Sequence, residues 1–249
     1  YAVSTASELA DSEFDVLKKC LYVKTEIEER FEEKLKSTQP HEIIFLCGSS
    51  GDGKSEILTK YKKQYELDVD FHLDATHSFE PHHSAIETLD RLFSAHSLST
   101  KPLVVGINIG MLGNYEREGS YAHEGIRKSI KGFLDGDDDN DHCFLNFEAF
   151  PKFTIIDGSV DSPFFSKLLE NVVKDDSSNK FCEYFDKALV EKSNPVLVAN
   201  YLMLRDKNIQ KVVIELLFNV RIRKDQFVTA RMLLDFVYCI LTGPGYLFD

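Results

Sequence analysis

The clearest chemical signature in the sequence is the pattern G-x-x-x-x-G-K-S at residues 48–55. Glycines at these positions let consecutive backbone N–H groups converge on an anion, and the pattern is typical of loops that bind nucleotide phosphates. Lys54 is predicted to reach the β- and γ-phosphates, and the Ser55 hydroxyl is predicted to bind Mg²⁺. The predicted nucleotide-binding residues are Gly48, Ser49, Ser50, Gly51, Asp52, Gly53, Lys54, Ser55 and Glu56.

Asp52 is unusual because it introduces a carboxylate into a loop that is expected to hold phosphates. A neutral side chain would be electrostatically easier to accommodate there. We expect the Asp52 side chain to point towards solvent and to lower the affinity for nucleotide.

The segments on both sides of the loop have the periodicity that such a site requires. Residues 41–46 form a short apolar run that predicts a β-strand, and residues 56–61 have apolar side chains at helical spacing. A strand, a glycine loop and a helix in this order are the structural context of a phosphate-binding loop.

Two further polar residues follow predicted strands. Asp74 ends the strand predicted at 68–74, and Asn108 follows the apolar strand Leu103–Ile107. Ligands of parallel α/β sheets gather at the carboxyl ends of the strands, so Asp74 is a candidate to hold Mg²⁺ or to activate water, and Asn108 to orient water or contact the γ-phosphate. The alternatives are a turn or helix cap for Asp74 and an asparagine that supports a glycine-containing loop at 108–115. Glu116 and Glu118, beyond this loop, are further candidates for a base.

Alternating strands and helices predict an α/β fold with a mainly parallel sheet between helices, of the P-loop NTPase, AAA-like type. Two N-terminal helices are predicted to pack outside this sheet. The predicted domains are a nucleotide-binding domain at residues 1–160 and a helical, lid-like domain at residues 161–249.

Arg231 falls in the first turn of the last predicted helix, where a cation opposes the helix dipole. Because the charge is unfavourable within the helix, we expect it to interact with a group outside the helix. Arg231 is a candidate to reach the γ-phosphate, as a lid arginine does in AAA-type ATPases. The alternative is a surface arginine or one that pairs with a carboxylate.

The amino-acid composition limits which binding partners and which cellular compartment are expected for this protein. The net charge of −12 argues against broad binding of duplex DNA by this chain alone. Five cysteines without a C-x-x-C pair predict free buried thiols in a reducing cytoplasm, and no apolar run is long enough to predict a membrane span. Because the sequence begins with Tyr1 and ends on an apolar stretch, we expect it to be a piece of a longer protein.

Four blocks in order resemble the DptF family of DNA phosphorothioation-dependent restriction proteins. They are residues 45–56, 71–79, 106–115 and 145–153. The resemblance implies a bacterial, cytoplasmic component of antiviral defence that acts with other subunits of a restriction complex and meets DNA through that complex. It also implies a nucleotide-binding domain, and no nuclease motif accompanies it in the sequence.

The leading hypothesis is therefore an ATP-binding, Mg²⁺-dependent ATPase module that gates or drives such a complex. Two alternatives stay open on the sequence. One is a P-loop kinase that acts on a small molecule, and the other is a module that binds nucleotide without hydrolysing it and so stabilises a docking surface.

Overall fold

The computed structural model describes residues 13–49, 51–75, 84–137, 141–176, 178–226 and 228–243. Within these ranges the chain forms six β-strands, which are β1 Ile43–Cys47, β2 Asp70–His72, β3 Leu103–Ile107, β4 Cys143–Asn146, β5 Thr154–Ile156 and β6 Ser159–Asp161. Two short 3-10 helices, Tyr121–His123 and Phe147–Ala149, accompany eleven α-helices in the same ranges. The α-helices are α1 Glu13–Leu21, α2 Glu26–Ser37, α3 Lys54–Tyr65, α4 Ala85–Ser97, α5 Ile109–Glu118, α6 Glu124–Asp135, α7 Pro163–Val173, α8 Lys180–Glu191, α9 Pro195–Arg205, α10 Lys207–Lys224 and α11 Ala230–Thr242.

These elements divide into two compact units. The sheet unit is Thr25–Pro151, and the helical unit consists of the described residues up to Lys24 together with those from Lys152 onward. The division differs from the predicted domains, because α1 belongs to the helical unit and the boundary lies nearer residue 151 than residue 160. The Asn171 amide donates to the Tyr22 carbonyl at 3.2 Å, and Leu21 and Val23 pack on the apolar core of the helical unit.

The sheet unit contains a four-stranded sheet in the order β2-β3-β1-β4, and every neighbouring pair is parallel. The α/β class and the parallel sheet predicted from the sequence are therefore confirmed. Because all four strands run in the same direction, the residues that follow them emerge at one edge of the sheet. This edge carries the segments that begin at Gly48, Leu73, Asn108 and Phe147.

Both faces of this sheet are covered, which explains why β1 and β3 consist of buried residues throughout. Side chains alternate between the faces, so Ile43, Phe45 and Cys47 belong to one apolar cluster and Ile44 and Leu46 belong to another. Residues of α4, α5 and α6 complete the first cluster, and residues of α2 and α3 complete the second. The strand β1, which precedes the predicted phosphate loop, is thus held in the middle one of three layers.

The helical unit has its own core, formed by α7 to α11 with Phe165, Leu169 and Leu233 among its buried side chains. Asn179 joins α7 to α8, since its side chain caps α8 and donates to the Val172 and Lys174 carbonyls at 3.2 and 2.8 Å. The strand β5 does not belong to the parallel sheet, because it pairs with β6 in an antiparallel hairpin.

The cysteines are all free thiols, as the sequence predicts. Cys47 and Cys182 are buried, whereas Cys239 is exposed, so the expectation of burial is wrong for that residue. None of the described helices combines the length and apolar character needed to cross a membrane.

Candidate nucleotide-binding site

The predicted phosphate loop lies between β1 and α3 and adopts left-handed backbone conformations at two glycines. Gly51 has φ +85° and Gly53 has φ +101°, values that residues with a side chain rarely adopt. A Cβ at Gly53 would meet no atom within 4 Å, so backbone conformation is what requires glycine there. With Gly53 as its N-cap, α3 begins at Lys54. Its first backbone N–H groups therefore face the loop, where an anion is favoured.

The side chain of Lys54, at the carboxyl end of the loop, reaches back to the residues at its start. The ammonium Nζ donates to the Gly48 carbonyl and to the Ser49 carbonyl, each at 2.7 Å. These two charge-assisted bonds hold the positive charge across the loop, six and five residues along the chain from its own backbone. The ammonium is therefore held within the loop, and its contact with the β- and γ-phosphates stays a prediction.

Ser55 and Glu56 lie in the first turn of α3, and both are exposed. An exposed hydroxyl at this position suits a Mg²⁺ ligand that also needs access to phosphate and water. Ser50, which the sequence predicts to contact nucleotide, lies outside the described residues.

Asp52 does not point away from the loop, so the expectation of a solvent-facing side chain is wrong. Its Oδ2 accepts a hydrogen bond from the Ser49 backbone N–H at 2.7 Å. The same oxygen would lie 3.1 Å from a Cβ placed on Gly48. The carboxylate thus braces the loop from within, and its negative charge stays close to the predicted phosphate position.

Gly48 connects the loop to the two strands that flank β1. Its N–H donates to the Ile107 carbonyl at the end of β3, at 3.2 Å. A Cβ at Gly48 would stand 2.9 Å from the Phe147 ring, which follows β4. Gly48 is therefore glycine because the chain after β4 packs directly beneath the loop. The thiol of the preceding residue, Cys47, has its pKa raised by burial and so adds no negative charge here at neutral pH.

Asn108 lies at the predicted edge, one strand away from the loop. Its side-chain oxygen accepts from the Met111 N–H at 2.6 Å and caps α5. The loop predicted at residues 108–115 is therefore wrong, because this segment is the start of α5. Met111, Leu112 and Tyr115 are buried on the core-facing side of that helix. The side-chain oxygen of Asn108 therefore caps a helix, a role that the sequence analysis considered for Asp74 and not for Asn108.

Asp74 follows β2 by two residues and emerges at the same edge. The strand carrying it is separated from β1 by β3, and neighbouring strands lie about 4.8 Å apart, which places its backbone on the order of 10 Å from the loop strand. Burial lowers the pKa of His72, and the nearby Asp74 offsets part of this effect. A neutral imidazole explains how a histidine is tolerated where the sequence pattern favours an apolar residue.

A residue that the sequence reasoning overlooked, Gly106, lies between these groups. It is the fourth residue of β3, and its carbonyl accepts from the Ala75 N–H at 2.9 Å, beside Asp74. A glycine inside the strand Leu-Val-Val-Gly-Ile is the signal that could have identified it, because glycine in a strand often marks a close approach of another segment.

Glu116 and Glu118 are not brought to this edge. Both lie in the last turns of α5, eight and ten residues beyond the cap at Asn108. At a rise of 1.5 Å per residue, Glu116 is about 12 Å along the helix from the cap, so the prediction of a base there is not supported by its position.

Arg231 belongs to the helical unit. It is exposed in the first turn of α11, whose N-cap is Thr229, as the sequence predicts. Its predicted contact with the γ-phosphate stays a prediction.

The side chains at this edge of the sheet suit a Mg²⁺ ion that is bound jointly by the protein and by phosphate. They do not suit a metal ion that is bound by protein side chains alone. Among the described residues, no group of three or more histidine, cysteine, aspartate or glutamate side chains is placed to hold a metal ion. Mg²⁺ in nucleotide sites keeps several waters and takes one or two protein oxygens, which here would be those of Ser55 and Asp74.

Comparison with models of known protein families and with curated proteins gives no match for this chain.

Proposed function

We propose that the sheet unit binds ATP with Mg²⁺ in the loop at residues 48–55 and hydrolyses it, as a P-loop ATPase module of the AAA-like type. The observation that carries this proposal is the position of Lys54, whose ammonium is bonded at 2.7 Å to two carbonyls of the loop. The strand before this loop is buried and the helix after it begins at Lys54, which supports an anion site formed by loop amides, the helix terminus and the lysine.

Hydrolysis of ATP needs positioned groups rather than covalent chemistry by the protein. The loop N–H groups other than that of Ser49, together with Lys54, would bind the phosphates, and Ser55 and Asp74 would hold the metal ion. Bound Mg²⁺ would neutralise part of the charge on the β- and γ-phosphates. Since the oxygen of Asn108 caps α5, any contact of Asn108 with the γ-phosphate would be made by its amide nitrogen.

The resemblance to the restriction family suggests the setting in which ATP is used. We infer a component of a bacterial restriction complex whose nucleotide state gates or drives the other subunits on DNA. The net charge of −12 is in keeping with DNA contacts made through partner subunits rather than by this chain.

A second function, nucleotide binding without turnover, is favoured by one observation. The two polar candidates at the edge are a helix cap, Asn108, and an acid two strands from the loop, Asp74. If neither group orients water, the site would still bind nucleotide and stabilise a docking surface.

Nucleotide binding is tested by replacing Lys54 with alanine and titrating Mg·ATP calorimetrically. Charge-assisted hydrogen bonds contribute roughly 1.5–3 kcal/mol each, so we expect Lys54→Ala to lose about 2–4 kcal/mol, or roughly 30- to 1000-fold in affinity. Lys63→Ala is the matched control, because Lys63 is an exposed lysine near the other end of α3. Equal affinity of Lys54→Ala and the wild-type protein would show that the loop is not the nucleotide site.

Turnover is measured separately, with Mg·ATP alone and with added DNA and partner subunits. Release of inorganic phosphate that is abolished by Lys54→Ala supports hydrolysis. Tight binding without phosphate release under any of these conditions supports the docking function instead. Transfer of phosphate to an added small molecule would indicate a kinase.

A further inference from the structure

Gly106 is the point at which the helix of the phosphate loop and the segment bearing Asp74 both contact β3. A Cβ built on Gly106 would stand 2.5 Å from Leu58 Cδ1 and 2.6 Å from the Leu73 carbonyl oxygen. Real Cβ atoms essentially never come this close to another atom, so each of the two contacts would have to be relieved by a movement. Leu58 is the fifth residue of α3, and Leu73 directly precedes Asp74.

The two neighbours differ in how they can respond. The Cδ1 atom of Leu58 is the end of a side chain and can rotate, although Leu58 is fully buried among the residues of α2 and α3. The Leu73 oxygen belongs to the backbone, so it can move only if the chain around Asp74 moves. A methyl group at position 106 therefore transmits its displacement mainly to the Asp74 segment.

The other side of Asp74 is also held by Gly106. The Ala75 N–H donates to the Gly106 carbonyl at 2.9 Å, and Ala75 is only 1% exposed. Asp74 is thus bracketed by two contacts with one residue, a close approach at Leu73 and a hydrogen bond at Ala75. Two adjacent anchors restrict the backbone from which the carboxylate extends.

We propose that Gly106 is a positioning residue that sets the distance between the Asp74 carboxylate and the phosphate loop. The proposal rests on the function given above, in which Asp74 acts on the metal ion or on water. Gly106 itself touches neither, and it acts by allowing the backbone at Leu73 to approach β3. Displacements of about 1 Å in such a constellation can slow turnover by about a hundredfold while binding persists.

The test is Gly106→Ala, with Mg·ADP affinity and the kcat and KM of ATP hydrolysis measured on the same preparation. We expect ADP affinity within about threefold of wild type and kcat at least tenfold lower, because the loop amides and Lys54 are not displaced. Gly125→Ala is the control, since a Cβ at this exposed position of α6 meets no atom within 4 Å. Thermal melting establishes that each variant is folded.

A second variant separates the two neighbours and covers the case in which Gly106→Ala does not fold. Leu58→Val removes the Cδ1 atom and leaves the Leu73 oxygen in place, so it relieves only one contact. We expect Gly106→Ala with Leu58→Val to be more stable than Gly106→Ala but equally slow. Recovery of wild-type kcat in this double variant would show that the helix of the loop, and not the Asp74 segment, is displaced, and would overturn the proposal.

Different results would contradict the positioning role of Gly106 and the proposed hydrolysis of ATP. Wild-type turnover together with unchanged kcat in Gly106→Ala overturns the positioning role alone. A wild-type protein that binds Mg·ATP and never hydrolyses it overturns both the hydrolysis and the role derived from it.

Discussion

Replacing Asp52 with asparagine should tighten the binding of nucleotide. The substitution removes a negative charge from the loop but keeps an acceptor for the hydrogen bond from the Ser49 N–H. The asparagine oxygen can accept the same hydrogen bond from the Ser49 N–H that the carboxylate accepts at 2.7 Å. Salt screens exposed charges mainly beyond roughly 8–10 Å, and for a phosphate in the same loop we take a shorter separation of about 7 Å. At an effective dielectric constant of about 20, two unit charges at that distance repel by about 2 kcal/mol.

The measured gain should be smaller than this figure, since the loop is partly exposed and Lys54 screens the phosphate. We expect about 1 kcal/mol, or roughly fivefold tighter binding of Mg·ADP by Asp52→Asn in calorimetry at low salt. The difference should narrow at about 0.5 M salt because exposed charges are screened. Asp68→Asn is the control, an exposed carboxylate beyond the end of α3.

Asp52→Ala completes the comparison because it removes both the negative charge and the acceptor of the hydrogen bond from the Ser49 N–H. Loss of a charge-assisted bond to the Ser49 N–H costs roughly 1.5–3 kcal/mol, so this variant should bind no better than wild type and melt at a lower temperature. Weaker binding by Asp52→Asn than by the wild-type protein would refute the reasoning, since it would mean that the carboxylate charge itself is required.

Two further substitutions test the residues assigned to hydrolysis. Asp74→Asn should keep Mg·ADP affinity and slow ATP turnover by about a hundredfold or more, and wild-type turnover in this variant would assign the acidic role to another residue. Arg231→Ala should lower kcat for ATP more than affinity for ADP, because ADP lacks the γ-phosphate that the arginine is predicted to contact. Equal losses in the two measurements, or none, would contradict a role for Arg231 at the γ-phosphate.

Local patterns in the sequence are enough to predict the phosphate loop and its flanking elements. The apolar run of β1, the glycines that adopt positive φ and the helix that begins at Lys54 are all specified within about 20 consecutive residues. The same holds for β3, whose predicted and observed limits coincide at Leu103–Ile107. Contacts with distant residues strengthen these elements but are not needed to recognise them.

The segment after Asn108 shows where local patterns fail. Gly110 and Gly113 lower the helix propensity of residues 109–118, so the sequence favours a loop there. The helix α5 forms because Met111, Leu112 and Tyr115 bury one face against the sheet and because Asn108 caps it. Tertiary packing provides most of the stability of a helix of this length, and propensity provides little.

Short-range sequence patterns are sufficient for the glycine loop between β1 and α3, the parallel sheet and the strand ends at which polar residues emerge. Tertiary packing, in contrast, places α1 with the helical unit and brings Gly106 against the chain on both sides of Asp74. The inward turn of Asp52 is a local feature that the sequence analysis misjudged, because its partner Ser49 lies three residues away. The physical reason is the range of the interactions. Backbone conformation and side-chain periodicity act over a few residues, whereas the contact at Gly106 joins Leu58, Leu73 and β3, which are brought together only when the sheet has formed.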